Sequence, residues 1–132
     1  MSRAVKQPVV LVKWFRVVVW VLDRVDHFPK NQRFVFGQRL ADRAISVLEL
    51  LVEASWSREK PRLLAAANRD IEVLRWLVRL AHERKLLTGK QYQSAAFGLE
   101  ECGRMVGGWQ KHALSQVHRP RPLQNAGEKE GR

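Results

Sequence analysis

Apolar residues recur every three to four positions along most of this chain, in four stretches separated by short polar or proline-containing segments. This spacing places the apolar side chains of each stretch along one side of an α-helix. The predicted helices run roughly over residues 8–27, 31–56, 61–86 and 88–114. The valines of the first stretch also suit a strand, but its length and its charged stripe favour a helix. Four such helices with short connectors predict an all-α fold, an antiparallel up-down-up-down four-helix bundle.

Local signals mark where these helices begin and end. The proline of Phe28-Pro29-Lys30 ends the first helix, because the residue before a proline avoids the helical region. Asn31 is the predicted N-cap of the second helix, and Pro61 suits the first turn of the third. Thr88 and Gln91 form a predicted capping box at the start of the fourth helix.

Glycines interrupt two of the predicted helices. Gly37 inside the second helix costs about 1 kcal/mol relative to Ala, which indicates either close packing there or a later helix start. Gly103, Gly107 and Gly108 weaken the fourth helix and indicate that a neighbouring backbone comes very close or that the helix frays.

The predicted core consists of the residues that share the inner side of each helix. These are Val10, Trp14, Val18, Val21, Leu22 and Val25; Leu40, Ala44, Val47, Leu48 and Leu51; Leu63, Ala67, Leu74, Leu77, Val78 and Ala81; and Tyr92, Ala95, Leu99, Cys102, Val106 and Trp109.

The apolar stripes are wider than a bundle core requires, and a soluble monomer rarely exposes such patches. Two interpretations stay open: the helix phases are wrong by a residue or two, or the protein is a homo-oligomer whose subunits cover these positions. The predicted oligomer-interface residues are Phe15, Val19, Ile45, Val52 and Phe97.

One domain is predicted over residues 1–114, followed by a disordered polar tail over residues 115–132 that contains two Arg-Pro steps. Lys13 and Arg16 interrupt the apolar run near the N-terminus, so neither a membrane span nor a signal peptide is expected. A cytoplasmic protein without a membrane partner is the expectation, and a reduced Cys102 suits that compartment.

The charge balance points to an anionic partner. Lys and Arg total 24 against 13 Asp and Glu, which gives a net charge of +11, and nucleic acid is the first candidate, an acidic membrane surface the second. The excess lies mainly in the first and third helices, where Lys13 and Arg16, and Arg75 and Arg79, occupy the outer side. Trp20 and Trp76 lie among these cations, where an indole could stack on unpaired bases or contact another subunit.

No catalytic constellation is recognisable. The histidines His27, His82, His112 and His118 have no metal-ligand spacing, and neither a dinucleotide-binding glycine motif nor a P-loop is present. We therefore expect no enzyme activity, no cofactor and no metal. A cryptic enzyme that uses His82 or Cys102 is the remaining alternative.

Four strings of the sequence resemble the accessory variability determinant (Avd) proteins of diversity-generating retroelements. Residues 28–40, Phe-Pro-Lys-Asn-Gln-Arg-Phe-Val-Phe-Gly-Gln-Arg-Leu, match their "FPxxxRFxxGxR" stretch, and residues 67–75, 79–87 and 103–109 agree in the same order. The resemblance covers residues 9–112, whereas residues 120–132 match nothing in the family. The four-helix proteins of 23S rRNA intervening sequences belong to the same superfamily and are the alternative.

The resemblance implies a four-helix protomer in a barrel-shaped homopentamer. It also implies that the protein binds a reverse transcriptase and its template RNA or cDNA, and serves mutagenic retrohoming without catalysis of its own. Phe28, Phe34, Gly37 and Trp109 then have structural roles. With the cations that lie in the shared strings, the predicted nucleic-acid-binding residues are Lys13, Arg16, Arg33, Arg39, Arg75, Arg79 and Arg104. A pure helical assembly scaffold is the second function that remains open.

Overall fold

The computed structural model of the chain describes residues 8–117. Helix α2 consists of a first turn, a π-helical turn and a longer α-helical part. The helices are α1 (Val9–Asp26), α2 (Lys30–Gln32, Arg33–Gly37 and Gln38–Ala54), α3 (Lys60–Glu83) and α4 (Gly89–Val117). Between residues 8 and 117 there is no strand, and the prediction of an all-α four-helix bundle is confirmed.

The helices pack in a closed cycle. Helix α1 contacts α2, α2 contacts α3, α3 contacts α4, and α4 returns to α1 in the loosest of the four pairings. Helices α1 and α3 therefore lie diagonally across the bundle. It follows that the surface shared by α1 and α2, which we call the α1–α2 face, is on the opposite side from the surface shared by α3 and α4, the α3–α4 face.

The core is centred on Trp14, which is fully buried and whose indole Nε1 donates a hydrogen bond to the Ala44 carbonyl oxygen at 2.9 Å. Most of the predicted core is buried or packed against the buried cluster. Leu22 is an exception, because it is 40% exposed. It follows Val21 by 100° around the helix, so the two cannot both point at the centre. Leu64, Asp70 and Ile71 are buried although the predicted core omits them.

The helix ends agree with the sequence signals at three sites, since α1 ends before Pro29, Pro61 lies in the first turn of α3 and a capping box starts α4. The Thr88–Gln91 capping box is confirmed, since the Thr88 amide donates to Gln91 Oε1 at 2.9 Å and the Gln91 amide donates to Thr88 Oγ1 at 3.1 Å. The helix ends differ from those signals at three other sites. Asn31 as N-cap is wrong, because α2 begins one residue earlier after Pro29. Helix α3 ends at Glu83, whereas α4 continues to Val117.

The early end of α3 has a backbone cause. Lys85 adopts a left-handed conformation with φ 64°, and the Leu86 amide donates back to the Ala81 carbonyl oxygen at 2.9 Å. This bond closes the helix in the manner of a Schellman motif, so the chain cannot continue as a helix to Leu86. Helix α4 contains residues 115–117 of the predicted tail, and residues 118–132 lie outside the described part of the chain.

Gly37 is required by packing. Its φ of −59° and ψ of −38° are ordinary helical values, but a Cβ there would lie 2.7 Å from Val25 Cγ1. The prediction of close packing at Gly37 is confirmed. For Gly103 and Gly107 both interpretations are wrong. The helix runs through them unbroken, and a Cβ would meet the Asn68 side chain, not a backbone, at the ordinary distances of 3.7 and 3.6 Å.

Candidate nucleic-acid interface

Ion pairs between helices fix which flank of each helix faces which neighbour. Lys13 Nζ of α1 lies 3.3 Å from Glu101 Oε2 of α4, so this flank of α1 faces α4. Arg43 Nη1 of α2 donates to Asp70 Oδ1 of α3 at 2.9 Å, so that flank of α2 faces α3. The remaining flanks of α1 and α2 face each other and border the α1–α2 face.

The α1–α2 face is apolar. Helical spacing puts Phe15 and Val19 on the flank of α1 opposite Lys13, and Ile45 and Val52 on the flank of α2 opposite Arg43. Phe15 is 55% exposed and Val19 is 52% exposed, whereas Ile45 is half-buried against the core. Four of the five predicted interface residues therefore border one surface.

Phe97, the fifth predicted interface residue, lies elsewhere. It precedes Arg104 by seven residues, two helical turns, on the outer side of α4, and it is 67% exposed.

Within residues 8–117, no helix is both long and apolar enough to cross a bilayer.

Three predicted cations, Arg75, Arg79 and Arg104, lie on the two helices that border the α3–α4 face. Arg75 and Arg79 follow Asn68 on the side of α3 that is next to α4. Arg104 is exposed on the outer side of α4 beside Gly103, which lies next to Asn68, so it is about three helical turns along the bundle from Arg79. Arg75 Nη1 is 3.6 Å from Glu72 Oε1, so this carboxylate partly neutralises Arg75. The guanidinium of Arg79 lies 5.2 Å from the ring centroid of Trp76. Arg79 and Arg104 are thus the cations on this face that are best placed to meet a phosphate.

The structure distributes the other four predicted cations around the bundle. Lys13 is engaged by Glu101, and Arg16 borders an apolar groove of about 200 Å³ between α1 and α4, together with Trp20. Arg39 lines an open cleft between α2 and α3. Arg33 is half-buried at the α1–α2 corner, where Nη2 donates to the Phe28 carbonyl oxygen at 3.3 Å. These four do not join the α3–α4 face, and their contact with nucleic acid stays a prediction.

Asp70 is a buried acidic residue to which the sequence analysis assigns no role. Its carboxylate accepts hydrogen bonds from Arg43 Nη1 at 2.9 Å and from Ser46 Oγ at 3.2 Å, with the Asp70 side chain only 10% exposed. The available signal was its position three residues after Ala67 on the inner side of α3. Because both carboxylate oxygens are engaged inside the protein, this group fixes α2 against α3.

Of the two residues that could act in a cryptic enzyme, Cys102 is buried, whereas His82 is half-buried. Burial, which is the largest cause, and the Glu101 carboxylate together raise the pKa of the Cys102 thiol from 9.0 to about 11, against the opposing effect of Lys13. The thiol is therefore protonated at neutral pH, whereas the thiolate is the nucleophilic form. The imidazole of His82 stacks on the Tyr92 ring, with centroids 4.8 Å apart.

The fold and this surface define a class: a four-helix-bundle protein that exposes apolar side chains on one face and several arginines on the opposite one. A family model described as bAvd-like matches residues 9–113. The chain therefore belongs to the bAvd-like family, and the resemblance of the four sequence strings to the Avd proteins is confirmed. A comparison with curated proteins gave no match.

Proposed function

We propose that the protein is a non-catalytic accessory subunit of a diversity-generating retroelement. In this proposal the α3–α4 face binds template RNA or cDNA, the α1–α2 face joins copies of the chain, and the assembly docks a reverse transcriptase. The observation that carries the proposal is the opposite placement of the cationic and apolar faces in a member of the bAvd-like family. The reverse transcriptase as a partner is supported by the family resemblance.

Binding through the α3–α4 face is electrostatic. Arginine guanidinium groups replace the counterions condensed on phosphates, and the released ions make the affinity fall steeply with salt. A net charge of +11 per chain adds long-range attraction for a polyanion. This mechanism needs no base-reading element, so broad sequence tolerance is expected.

Self-association through the α1–α2 face follows from its exposed apolar area. Phe15 and Val19 would gain burial against a second copy, at about 25 cal/mol for each Å² of apolar surface covered. Because the α3–α4 face is on the other side, an assembly formed this way leaves the cations open to solvent. A closed ring of five subunits is the form that the family resemblance implies.

Fluorescence anisotropy with a labelled structured RNA at low salt tests the binding proposal. We expect wild-type protein to bind, and the variant Arg79→Glu/Arg104→Glu to bind at least tenfold more weakly. The variant Lys30→Glu/Lys90→Glu changes the net charge by the same amount at exposed positions near helix N-termini, where carboxylates are favourable. Equal losses in both variants would show that only total charge matters, and no binding by the wild type would refute the proposal.

The exposed apolar α1–α2 face also favours a second candidate, a pure assembly scaffold. A scaffold would bind partner helices through this face and use its charge for solubility alone. The two functions separate in one comparison: Arg79→Glu/Arg104→Glu leaves a scaffold unchanged, whereas it abolishes most RNA binding by the proposed accessory protein. In both, replacement of Cys102 and His82 by Ala leaves function intact, because neither role requires a nucleophile or a base.

A further inference from the structure

One end of the bundle carries a pocket that the proposed function has not used. The connector between α2 and α3 meets the C-terminal part of α4 there, around a pocket of about 380 Å³. This volume lies within the range of about 300–1,000 Å³ that ligand pockets usually have. The lining groups that matter below are Trp56, Arg58, Lys60 and Trp109.

Trp56 is the most exposed tryptophan indole in residues 8–117, at 71%. Exposed tryptophans commonly mark contact sites, because the large apolar ring gains most from being covered. Trp109 lines the same pocket and is anchored against the core. The pocket therefore combines one indole that is free to be covered with another that is fixed.

The connector that carries Trp56 is held in place by its own hydrogen bonds. The Ser57 amide donates to the Glu53 carbonyl oxygen at 3.0 Å, and the Glu59 amide donates to Ser57 Oγ at 2.9 Å. Lys60 Nζ donates to the Ser57 carbonyl oxygen at 2.6 Å, which holds its ammonium group beside the pocket. A ligand would meet a preformed site and would not need to order a loop.

The charge around the pocket is positive. Arg58 of the connector and Lys60 at the start of α3 line it. Of the neighbouring carboxylates, Glu59 is engaged by Arg62, whose Nε donates to Glu59 Oε1 at 2.8 Å, and Glu53 is exposed on α2. An indole beside two cations suits a ligand with a planar ring and a phosphate, which is the chemistry of an unpaired nucleotide.

We propose that this pocket binds an unpaired base of a single-stranded polynucleotide. The base stacks on Trp56, and the adjoining phosphates lie against Arg58 and Lys60. This inference rests on the proposed function, because it assigns a stacking site to a protein proposed to bind nucleic acid. A second copy of the chain is the competing occupant, but the cations around the indole favour a polyanion over an equally cationic subunit.

The test compares two fluorescein-labelled probes of equal length, an oligouridylate and a strand with the same phosphates but no bases. The full chain and three variants are used: Trp56→Ala, Trp56→Phe and the control Phe34→Ala. Phe34 is also exposed, at 63%, but lies near the start of α2, away from the pocket and from the α3–α4 face, so its removal should leave the affinity for both probes unchanged. Anisotropy gives the affinity, and sedimentation velocity gives the mass of each variant.

We expect Trp56→Ala to weaken oligouridylate binding roughly tenfold, because one base–indole stack is lost, and to leave the abasic probe unaffected. Trp56→Phe keeps an aromatic ring and should retain most of the affinity for oligouridylate. This result would show that the loss in Trp56→Ala comes from the missing ring and not from a change in the fold. Equal affinities of wild type and Trp56→Ala for oligouridylate would overturn the stacking site while the proposed function stands. A mass change without an affinity change would assign the pocket to subunit contact and overturn the proposal. Failure of the wild type to bind either probe would refute the proposed function as well.

Discussion

Gly37 provides the sharpest test of the packing that joins α1 to α2. Alanine at an interior helical position is ordinarily more stable than glycine by about 1 kcal/mol, and the dihedral angles of Gly37 suit any residue. The added Cβ, however, would lie 2.7 Å from Val25 Cγ1 and 3.3 Å from Phe28 Cδ2. Val25 is buried and β-branched, so its methyl group has little freedom to move.

Overpacking of this kind costs about 1–3 kcal/mol, which cancels or exceeds the gain in helix propensity. We therefore expect Gly37→Ala to range from about neutral to 2 kcal/mol less stable. Gly108→Ala is the matched control, because a Cβ at Gly108 has no neighbour within 4 Å, and it should gain about 1 kcal/mol. The free energy of unfolding, measured by urea titration at one protein concentration, gives both values.

A Val25→Ala background isolates the contact. With Cγ1 removed, Gly37→Ala should become stabilising, as Gly108→Ala is, and the coupling between the two substitutions should be about 1–3 kcal/mol. If Gly37→Ala stabilises the otherwise native chain as much as Gly108→Ala does, the steric account of Gly37 is refuted.

Three further predictions concern single groups. Lys85→Gly should raise the free energy of unfolding by about 0.5–1 kcal/mol, because glycine tolerates the φ of 64° that lysine does not favour; no gain in a urea titration would contradict this. Asp70→Asn should lower stability by about 1.5–3 kcal/mol, since it weakens the bonds from Arg43 and Ser46, and a loss below about 0.5 kcal/mol would contradict it. Because Cys102 has a pKa of about 11 against 9.0 in its ordinary state, the unfolded chain loses its proton first as the pH rises. The free energy of unfolding is thus retained below about pH 9 and falls by about 2–3 kcal/mol between about pH 9 and 11. Denaturation curves measured across that range should show this drop for the native chain and not for the Cys102→Ala control.

Much of the architecture was predictable because it depends on local periodicity. Most inner positions of the four helices follow from spacing alone, and the Thr88–Gln91 cap follows from two side chains that need only each other. The sequence indicates close packing at Gly37, but it does not identify Val25 as the contacting residue, because that contact depends on how α1 packs against α2. The left-handed conformation of Lys85 is not predictable from the sequence, since lysine does not favour this conformation.

The surface was less predictable, because it depends on how helices are arranged around the bundle. Periodicity placed Lys13 and Arg79 on outer sides, but it could not show that α1 and α3 are diagonal and that their cations face different directions. Asp70 was missed because a single carboxylate on an apolar stripe gives no sign of its partner on another helix. The sequence does not predict a site at Trp56, since half of the residues that line its pocket come from α4, more than fifty positions away.

The salt dependence of RNA binding tests the central claim most directly. If Arg79 and Arg104 each replace counterions on a phosphate, Arg79→Glu/Arg104→Glu should lower the slope of log K against log salt concentration. The expected decrease is about 0.7 for each lost single-strand contact, or about 1.4 for each subunit that touches the strand. The Lys30→Glu/Lys90→Glu variant should keep the wild-type slope. An unchanged slope in the first variant would contradict the assignment of the α3–α4 face as the polyanion-binding surface.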